Sequence, residues 1–433
     1  MQSEVTRYTL EDCLDALIDY RGKTPRKTGE GIPLVTAKVV KGGRIERPNE
    51  YIAIEDFAGW MTRGLPRVGD VVMTTEAPLG EVGQIRQLPV ALAQRVVTLR
   101  GKAGLLHNDY LLYALQSEPV QVQLHGRSTG TTVVGIKQSE LRKVQLELPG
   151  FKEQAAIASV LKALDDQIDL LRQTNATLES IARSLFQSWF VDFDPVRAKA
   201  EGREPEGIDV STSSLFPSEF EQSAEGPIPK GWQSGTLADL SVLNGSSWSA
   251  RRAPSEVLYV DLAGLKSNVF EPPQRFPFAD APSRARREIR AGDTLVGTVR
   301  PGNRSFGFIA ECQEGLTGST GFAVLTPKLK ACSAFIYLCA TREENIERLA
   351  ALADGGAYPA VRPELVHGTA CAIPPTSVLV AFEALALPLL MSISAKAMRA
   401  RTLSDLRDTL LPPLITGKLR LPESQEELRE MIA

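Results

Sequence analysis

Between Phe151 and Phe190 apolar residues return in a strict 3-4 alternation: Ile157, Leu161, Leu164, Ile168, Leu171, Leu178, Ala182, Leu185 and Trp189, with Asn175 the one polar residue on the seam. That spacing keeps one side of a helix turned toward a partner helix. Forty residues at ~1.5 Å each span about 60 Å, well beyond an ordinary globular helix. A lone polar residue on such a seam fixes register more than it strengthens packing. A long core helix within one domain is the plainer alternative. A coiled-coil spacer is favoured because a second pattern of the same kind lies near the C-terminus, through Phe382, Ala386, Leu389, Ile393, Ala400, Leu403 and Leu410. Lys396 and Arg407 fall in phase on it, where their stems can snorkel, and Pro388 predicts a kink or a late helix start.

The rest of the chain is a repeat around these helices. Residues 1–150 read as mixed α/β, with a short helix from Leu10 to Tyr20 and β-rich pieces IPLVTAKVV, DVVMTT, QRVVTLR and VQLELP. DYLLYAL (109–115) reads as a buried helix, and Pro195 as the end of the long one. RVGDVVMTTEAPLGEVGQI (67–85) then returns as RAGDTLVGTVRPGNRSFGFI (290–309), NDYLLYAL (108–115) as SAFIYLCA (333–340), and GIKQSELRKVQLELP (135–149) as PAVRPELVHGTACAIP (359–374). The offset stays near 224, the mark of a duplicated unit. The expected fold is α+β: two repeated α/β globules separated by two long helices that form an antiparallel coiled coil. The expected boundaries are 1–150, first globule; 151–194, central helix; 195–228, a Pro/Gly/Ser/Glu-rich connector; 229–375, second globule; and 376–433, distal helix and C-terminal tail.

Length, 433 residues, suits two or three domains. The net charge of −3 conceals an asymmetry. Arg21 to Arg47 holds eight Lys/Arg against two Glu, and Arg251 to Arg304 ten against six acids, whereas Asp192 to Glu225 carries nine acids and three bases. Two basic surfaces joined by an acidic segment fit contact with DNA at two places. No stretch reads as a membrane span: the most apolar, Val378 to Ile393, is interrupted by Glu383 and Pro388. The N-terminus lacks a signal-peptide layout, and five cysteines without C-x-x-C spacing indicate a reducing, cytoplasmic setting without zinc.

The chain carries none of the common catalytic constellations. Gly22-Lys23-Thr24 lacks the glycine five residues earlier that a phosphate loop needs, since position 17 is Leu. The G-x-G at Gly29–Gly31 follows no strand-to-helix pattern. His107, His125 and His367 are scattered. The Pro-Pro pairs follow Glu271, Ile373 and Leu411, not the Asn or Asp of an adenine methyltransferase motif, and no lysine lies two residues after an acid as in E-x-K nucleases. These absences point to a protein that binds and does not react. The residues alone leave open a coiled-coil scaffold with two non-DNA-binding globules, and a self-contained methyltransferase or nuclease of unusual motif.

EQAAIASVLKALDDQID and SLFQSWFVDFDPVRAKAEG (184–202), IPKGW (228–232), LLPPLITGKLRL (410–421) and RGKTPRKTGEGIPLVTAKVVKGGRIE (21–46) together resemble the specificity (S) subunit of Type I DNA restriction-modification systems. The distal helix lacks a counterpart of Glu153-Gln154, having Ser377-Val378, so its first two turns are the less secure. The resemblance implies a non-catalytic subunit whose two target-recognition domains each read half of a bipartite, asymmetric site on double-stranded DNA. The paired helices would set the spacer and dock two modification (methyltransferase) subunits. Those subunits would carry S-adenosylmethionine, and two restriction (translocase/endonuclease) subunits, where present, would use ATP and Mg. From residue type and place, the candidate DNA contacts are Lys38, Lys41, Arg44, Arg95, Arg127 and Thr129 in the first globule. In the second they are Arg252, Lys266, Arg300, Arg304, Thr320, Tyr358 and Arg362. No residue is a candidate for catalysis or for a metal. Trp189, Phe190 and Phe193 are expected to pack, at the coiled-coil end or under a partner subunit.

Overall fold

The computed structural model describes residues 5–421 apart from 23, 131–132, 224–225 and 250. It divides into two compact units, Met1–Asp169 with Ala400–Ala433, and Leu170–Arg399. The tail expected beyond the distal helix falls, from 422 onward, outside the described residues.

The first unit opens with β1 (Thr6–Thr9), paired antiparallel with β11 (Gln145–Leu148). Thr9 caps α1 (Leu10–Cys13), its hydroxyl accepting from the Asp12 amide, and the chain then passes into β2 (Leu14–Asp19). A helix was expected over Leu10 to Tyr20; only its first turn forms. Leu14, Leu17 and Ile18 suit either period, and the ladder from β2 to β10 (Val96–Gly101) decides for strand. With β7 (Val71–Thr75) and β8 (Leu79–Gln84) these make an antiparallel sheet in the order β2-β10-β7-β8. IPLVTAKVV breaks at the turn 37–39 into β3 (Ile32–Val35) and β4 (Val40–Lys41). The latter forms a hairpin with β5 (Arg44–Ile45) through Gly42-Gly43, both at positive φ. Around β3 lie β6 (Tyr51–Ile52), α2 (Ile54–Trp60) and β9 (Ala91–Leu92). The expected helix at 109–115 is α3 (Asn108–Gln116), followed by α4 (Glu118–Gly126) and α5 (Gln138–Leu141).

Two helices of 40 residues follow the pattern read from the seam: α6 (Phe151–Phe190) and α13 (Thr376–Ile415). In the first unit Ile157 and Leu161 enter one core with Leu414 of α13 and the helix α3. Asp165 of α6 accepts from Tyr113 Oη at 2.7 Å and from Arg407 Nη1 of α13 at 2.6 Å. Ile168 and Leu171 are buried; Leu164 and Leu178 are half-buried. In the second unit Phe186, Trp189 and Phe190 of α6 all touch the Phe382 ring of α13, and Asn175 Nδ2 donates to Ile393 O at 3.0 Å.

The distal seam departs from the expected one in three places. Leu390, four residues after Ala386, is fully buried where Leu389 is only half-buried against the core. Leu403 and Leu410 are also half-buried, and Leu414 takes the deepest place in the last turn. Arg407 is ion-paired with Asp165 and Asp408, not snorkelling. The helix begins at Thr376, so neither Pro388 nor the missing Glu-Gln delays it. By length and composition α13 could cross a membrane, but Val378, Leu379, Phe382, Ala386, Leu390 and Ile393 are in the core of the second unit.

The expected connector is folded. Helix α6 stops at Phe190, Phe193 takes a left-handed conformation, and Pro195 lies in the first turn of a new helix, α7 (Asp194–Ala200). It is followed by α8 (Val210–Ser213) and the hairpin β12 (Phe220–Ser223) with β13 (Gly226–Pro229). Phe216 and Trp232 close over the helix end, their rings on Trp189 and Phe190.

The second globule then follows the order of the first. Strand β14 (Gln233–Thr236) pairs with β25 (Ala370–Ile373), and Thr236 caps α9 (Leu237–Leu240) as Thr9 caps α1. β15 (Ser241–Leu243), β24 (Phe322–Pro327), β21 (Thr294–Gly297) and β22 (Phe306–Phe308) form an antiparallel sheet in that order. Helices α10 (Ser333–Ala340), α11 (Glu343–Leu352) and α12 (Pro363–His367) take the places of α3, α4 and α5. The hairpin β17 (Leu265–Lys266) to β18 (Val269–Phe270) turns through Ser267-Asn268 at positive φ. A second sheet, β19 (Gln274–Pro277), β16 (Glu256–Val260), β23 (Leu316–Ser319) and β20 (Ala285–Glu288), completes the unit.

Asp165 and Arg407 are each 16% exposed, so removing the carboxylate strands a guanidinium and a phenol in poor solvent. Asp165→Ala is expected to cost about 2–3 kcal/mol and Asp165→Asn less, since the amide still accepts from Tyr113. Thermal melts of the two variants check this; equal, unshifted midpoints would remove the pair from the account.

Candidate nucleic-acid interface

At the end of β7, Thr75 is buried and its backbone bonds run to two loops. Its amide donates to Arg95 O at 3.0 Å, and its carbonyl accepts from Ile136 N at 3.0 Å. The second loop is closed by a reciprocal pair, Thr129 N to Gly135 O at 2.8 Å and Gly135 N to Thr129 O at 3.0 Å. Arg95 and Thr129 are thereby brought to the same strand end, both exposed, with Arg127 at the end of α4 nearby in the chain. Arg95 pairs with Glu76 at 3.0 Å and Arg127 with Glu140 at 3.4 Å. The hairpin carrying Lys41 runs beside β8, where Gly42 N donates to Glu81 Oε2 and Gly83 leaves no room for a Cβ against Arg44. Lys41 pairs with Glu46 at 3.0 Å, and Lys38 is exposed on the preceding turn. Arg44 is placed apart from the others. It faces α6 and pairs with Asp169 at 3.5 Å, in a small charged cleft with Arg86, Asp109, Lys162 and Asp165.

The second unit repeats the frame with other side chains. Thr298 N donates to Gly321 O and its carbonyl accepts from Val361 N, both at 2.9 Å, while Asp354 and Ala360 exchange backbone bonds. Arg300 and Tyr358 meet on the loop so closed, the guanidinium 4.8 Å from the ring centroid, and Thr320 is exposed on the neighbouring turn. Arg304 pairs with Glu343, and its carbonyl accepts from Ser267 N at 2.8 Å, which brings the Lys266 hairpin alongside. Arg362, exposed, occupies the cap position of α12. Arg252, also exposed, donates to Ser247 O at 3.3 Å, away from this strand end.

Two positions escaped the sequence reading. Arg284 is exposed and its carbonyl accepts from Thr320 N at 2.8 Å, so the run Arg284–Arg290 was the available signal. Thr24 donates to Gln94 Oε1 at 3.2 Å and Arg21 to Ile136 O at 2.8 Å, which brings these two residues to the Thr75 frame. Among the described residues no group of three or more His, Cys, Asp or Glu could hold a metal ion.

At the opposite end of each of these strands sits a buried aspartate with different company. Asp70 accepts from Arg67 N at 2.8 Å and is clasped by Arg100 at 2.7 and 2.8 Å. Asp293 accepts from Arg290 N at 2.8 Å, but Thr326 stands where β10 has Arg100. Burial without a cation pushes the Asp293 carboxyl up to about 6. Glu383 of α13, accepting from Ala334 N at 3.0 Å, is pushed by burial to about 7.

Residues 4–180 match the family described as Type I restriction modification DNA specificity domain. Over 402 residues the chain is 25% identical to the Type I restriction enzyme MjaIX specificity subunit of Methanocaldococcus jannaschii, covering 91% of this chain and 88% of the relative. It is 22% identical to the Type I restriction enzyme HindI specificity subunit of Haemophilus influenzae, covering 86% and 90%. Its fold is similar to the crystal structure of a Type I restriction-modification system S subunit from M. genitalium, with a TM-score of 0.61, 14% identity and 98% of each chain covered.

The two aspartates predict different responses to substitution. Asp293 holds its proton in the folded state up to about pH 6, whereas the unfolded chain releases it near 4, so its contribution to stability is lost as pH rises from 4 to 6. Glu383 extends the same trend toward 7. Asp293→Asn should flatten the 4–6 limb without loss at pH 7.5, whereas Asp70→Asn, loosening Arg100, should cost about 2 kcal/mol there. Melting midpoints between pH 4 and 8 decide, and an unchanged limb in Asp293→Asn would exclude Asp293 as its source.

Proposed function

We propose that the chain, which belongs to the Type I restriction-modification specificity family, chooses the DNA site on which other subunits act. In this reading each globule is a target-recognition domain for one half of a bipartite, asymmetric site. Helices α6 and α13 pair as an antiparallel coiled coil that sets the spacer and docks two methyltransferase subunits. Methyl transfer from S-adenosylmethionine belongs to those subunits, and ATP- and Mg-dependent cleavage to restriction subunits where a system has them.

The observation that carries the proposal is the doubled frame with unlike surfaces. The same backbone bonds at Thr75 and Thr298 present Arg95 and Thr129 in one globule, and Arg300, Thr320 and Tyr358 in the other. One scaffold with two sets of exposed side chains is what reading two different half-sites requires. Lysines and arginines contribute salt-dependent phosphate contact; Arg, Thr and Tyr side chains discriminate base edges. Lys38, Lys41, Arg95, Arg127, Arg252, Lys266, Arg304 and Arg362 serve the first role here. Arg44 serves the junction of globule and helix.

The antiparallel reading draws on contacts within the second unit. Phe186 meets Phe382 and Asn175 meets Ile393, so eleven residues back along α6 correspond to eleven forward along α13. Two readers on one face of a duplex need a separation near one helical turn, ~34 Å, within the reach of helices of this length.

Co-expression with the neighbouring methyltransferase subunit, followed by mapping of methylated adenines across the host genome, tests the proposal. The expected result is a single split motif with an unspecified gap. An active complex that methylates without sequence dependence would sink it in favour of a scaffold. Adding one turn to both helices should lengthen the gap by about 5.4 Å, one to two base pairs; a fixed gap would exclude the helices as spacer.

A further inference from the structure

Tyr358 is 73% exposed, on a loop whose other members are small: Asp354-Gly355-Gly356-Ala357 before it, Pro359-Ala360 after it. An aromatic ring held in water on a short loop is not there for the core. The loop is fixed at its base by the Asp354–Ala360 pair and by Arg300 N donating to Pro359 O at 2.7 Å. Arg300 Nη2 also donates to Ala357 O at 2.7 Å, and its guanidinium lies over the Tyr358 ring. Such a stack at an exposed site favours one rotamer of the ring over another by roughly two- to fivefold.

The first globule shows what this arginine is not for. Its counterpart there is Ala77, at φ 46 against 48 for Arg300, in the same left-handed region. The bridge from Glu76 to Gly135 corresponds to that from Val299 to Ala360, so the backbone frame closes without any side chain at this position. Arg300 also accepts the cost of a left-handed conformation that a glycine would avoid. Its side chain is therefore not required by the backbone frame, and what it engages is the loop that carries the exposed ring, through Ala357 O and the ring itself.

We infer that Tyr358 is a specificity-determining residue of the second globule, making apolar contact with a thymine methyl in the major groove, and that Arg300 is the positioning residue that holds its ring. This rests on the proposed DNA-reading function. With one face covered by the guanidinium, the ring cannot enter between base pairs as a two-faced wedge. Its free face and edge remain for a groove contact, where the thymine C5-methyl is the apolar feature on offer.

Methylated-site mapping of the complex, with its methyltransferase subunit, tests this in four variants. Tyr358→Ala should relax one A·T-defined position in one half-site, with discrimination there falling about tenfold or more, and leave the other half-site intact. Tyr358→Phe should keep the motif. Arg300→Ala, which installs the residue the first globule already tolerates, and Arg300→Lys, which keeps the charge but not the planar stack, should both relax that same position. The slope of duplex affinity against salt should not change in Tyr358→Ala. An unaltered motif in Tyr358→Ala, or a relaxed position that is not A·T, overturns the assignment of Tyr358. A parent-like motif in Arg300→Lys, with Tyr358→Ala relaxed, overturns the positioning role and makes Arg300 a charge contact. If the unsubstituted complex recognises no motif at all, the failure lies with the proposed function and not with this loop.

Discussion

The backbone of one buried threonine in each globule is the constraint on which the surface depends. Thr75 and Thr298 end their strands where the ladder can no longer serve their amide and carbonyl, and an unpaired buried backbone group costs on the order of 1–3 kcal/mol. Each satisfies its groups with two loops instead, one from the strand on its flank and one from the segment before the globule's last small helix. The frame that closes these loops is made of main-chain bonds, to which Thr298 Oγ1, Arg300 and Arg21 add side-chain donors at Gly321 O, Ala357 O and Ile136 O. The main-chain frame does not dictate which side chains the loops carry, and one globule shows Arg95 and Thr129 where the other shows Arg300, Thr320 and Tyr358.

Charge is distributed by the same logic. The net charge of −3 belongs to the whole chain, but the acids cluster where the polypeptide wraps the end of α6 or pairs with arginines that serve packing. Asp165 with Arg407, Asp169 with Arg44, and Asp70 with Arg100 are structural pairs, part-buried and directed inward. Arg300, Arg362, Lys38 and Lys266 are exposed, and nucleic acid meets local potential, not a sum over the chain.

Periodicity made the central helix legible to its ends, because a seam of forty residues offers no competing pattern; it placed the distal helix but not its start or the phase of its seam. The repeat was legible for the reason that strand ends and turns need particular residues: Gly69-Asp70 and Gly292-Asp293 occupy the same tight turn. What periodicity could not resolve were choices made by tertiary partners. Leu10 to Tyr20 suits two periods, and β10 chose the strand. Leu389 and Leu390 are both leucine, and the core of the second unit buries the second more deeply. Arg44 looks like its basic neighbours until Asp169 appears across from it. The connector reads as polar and loose because its few apolar residues, Val196 and Phe216 among them, are far apart in sequence and gather, with Trp232 from beyond it, only around the end of α6. The DNA-contact roles themselves stay a matter of exposure and chemistry.

That gathering bears on accuracy. The segment after α6 is a folded wrap, with Trp189, Phe190, Phe216 and Trp232 in mutual ring contact at the junction of helix and globule. An angular slip of ten degrees about such a joint moves a side chain ~20 Å away by about 3.5 Å, as far as one base-pair step. For a reader of base pairs, angular play at the joint is therefore equivalent to misreading by one letter. An aromatic clamp of four rings in mutual contact is the mechanical form that fidelity takes in this chain.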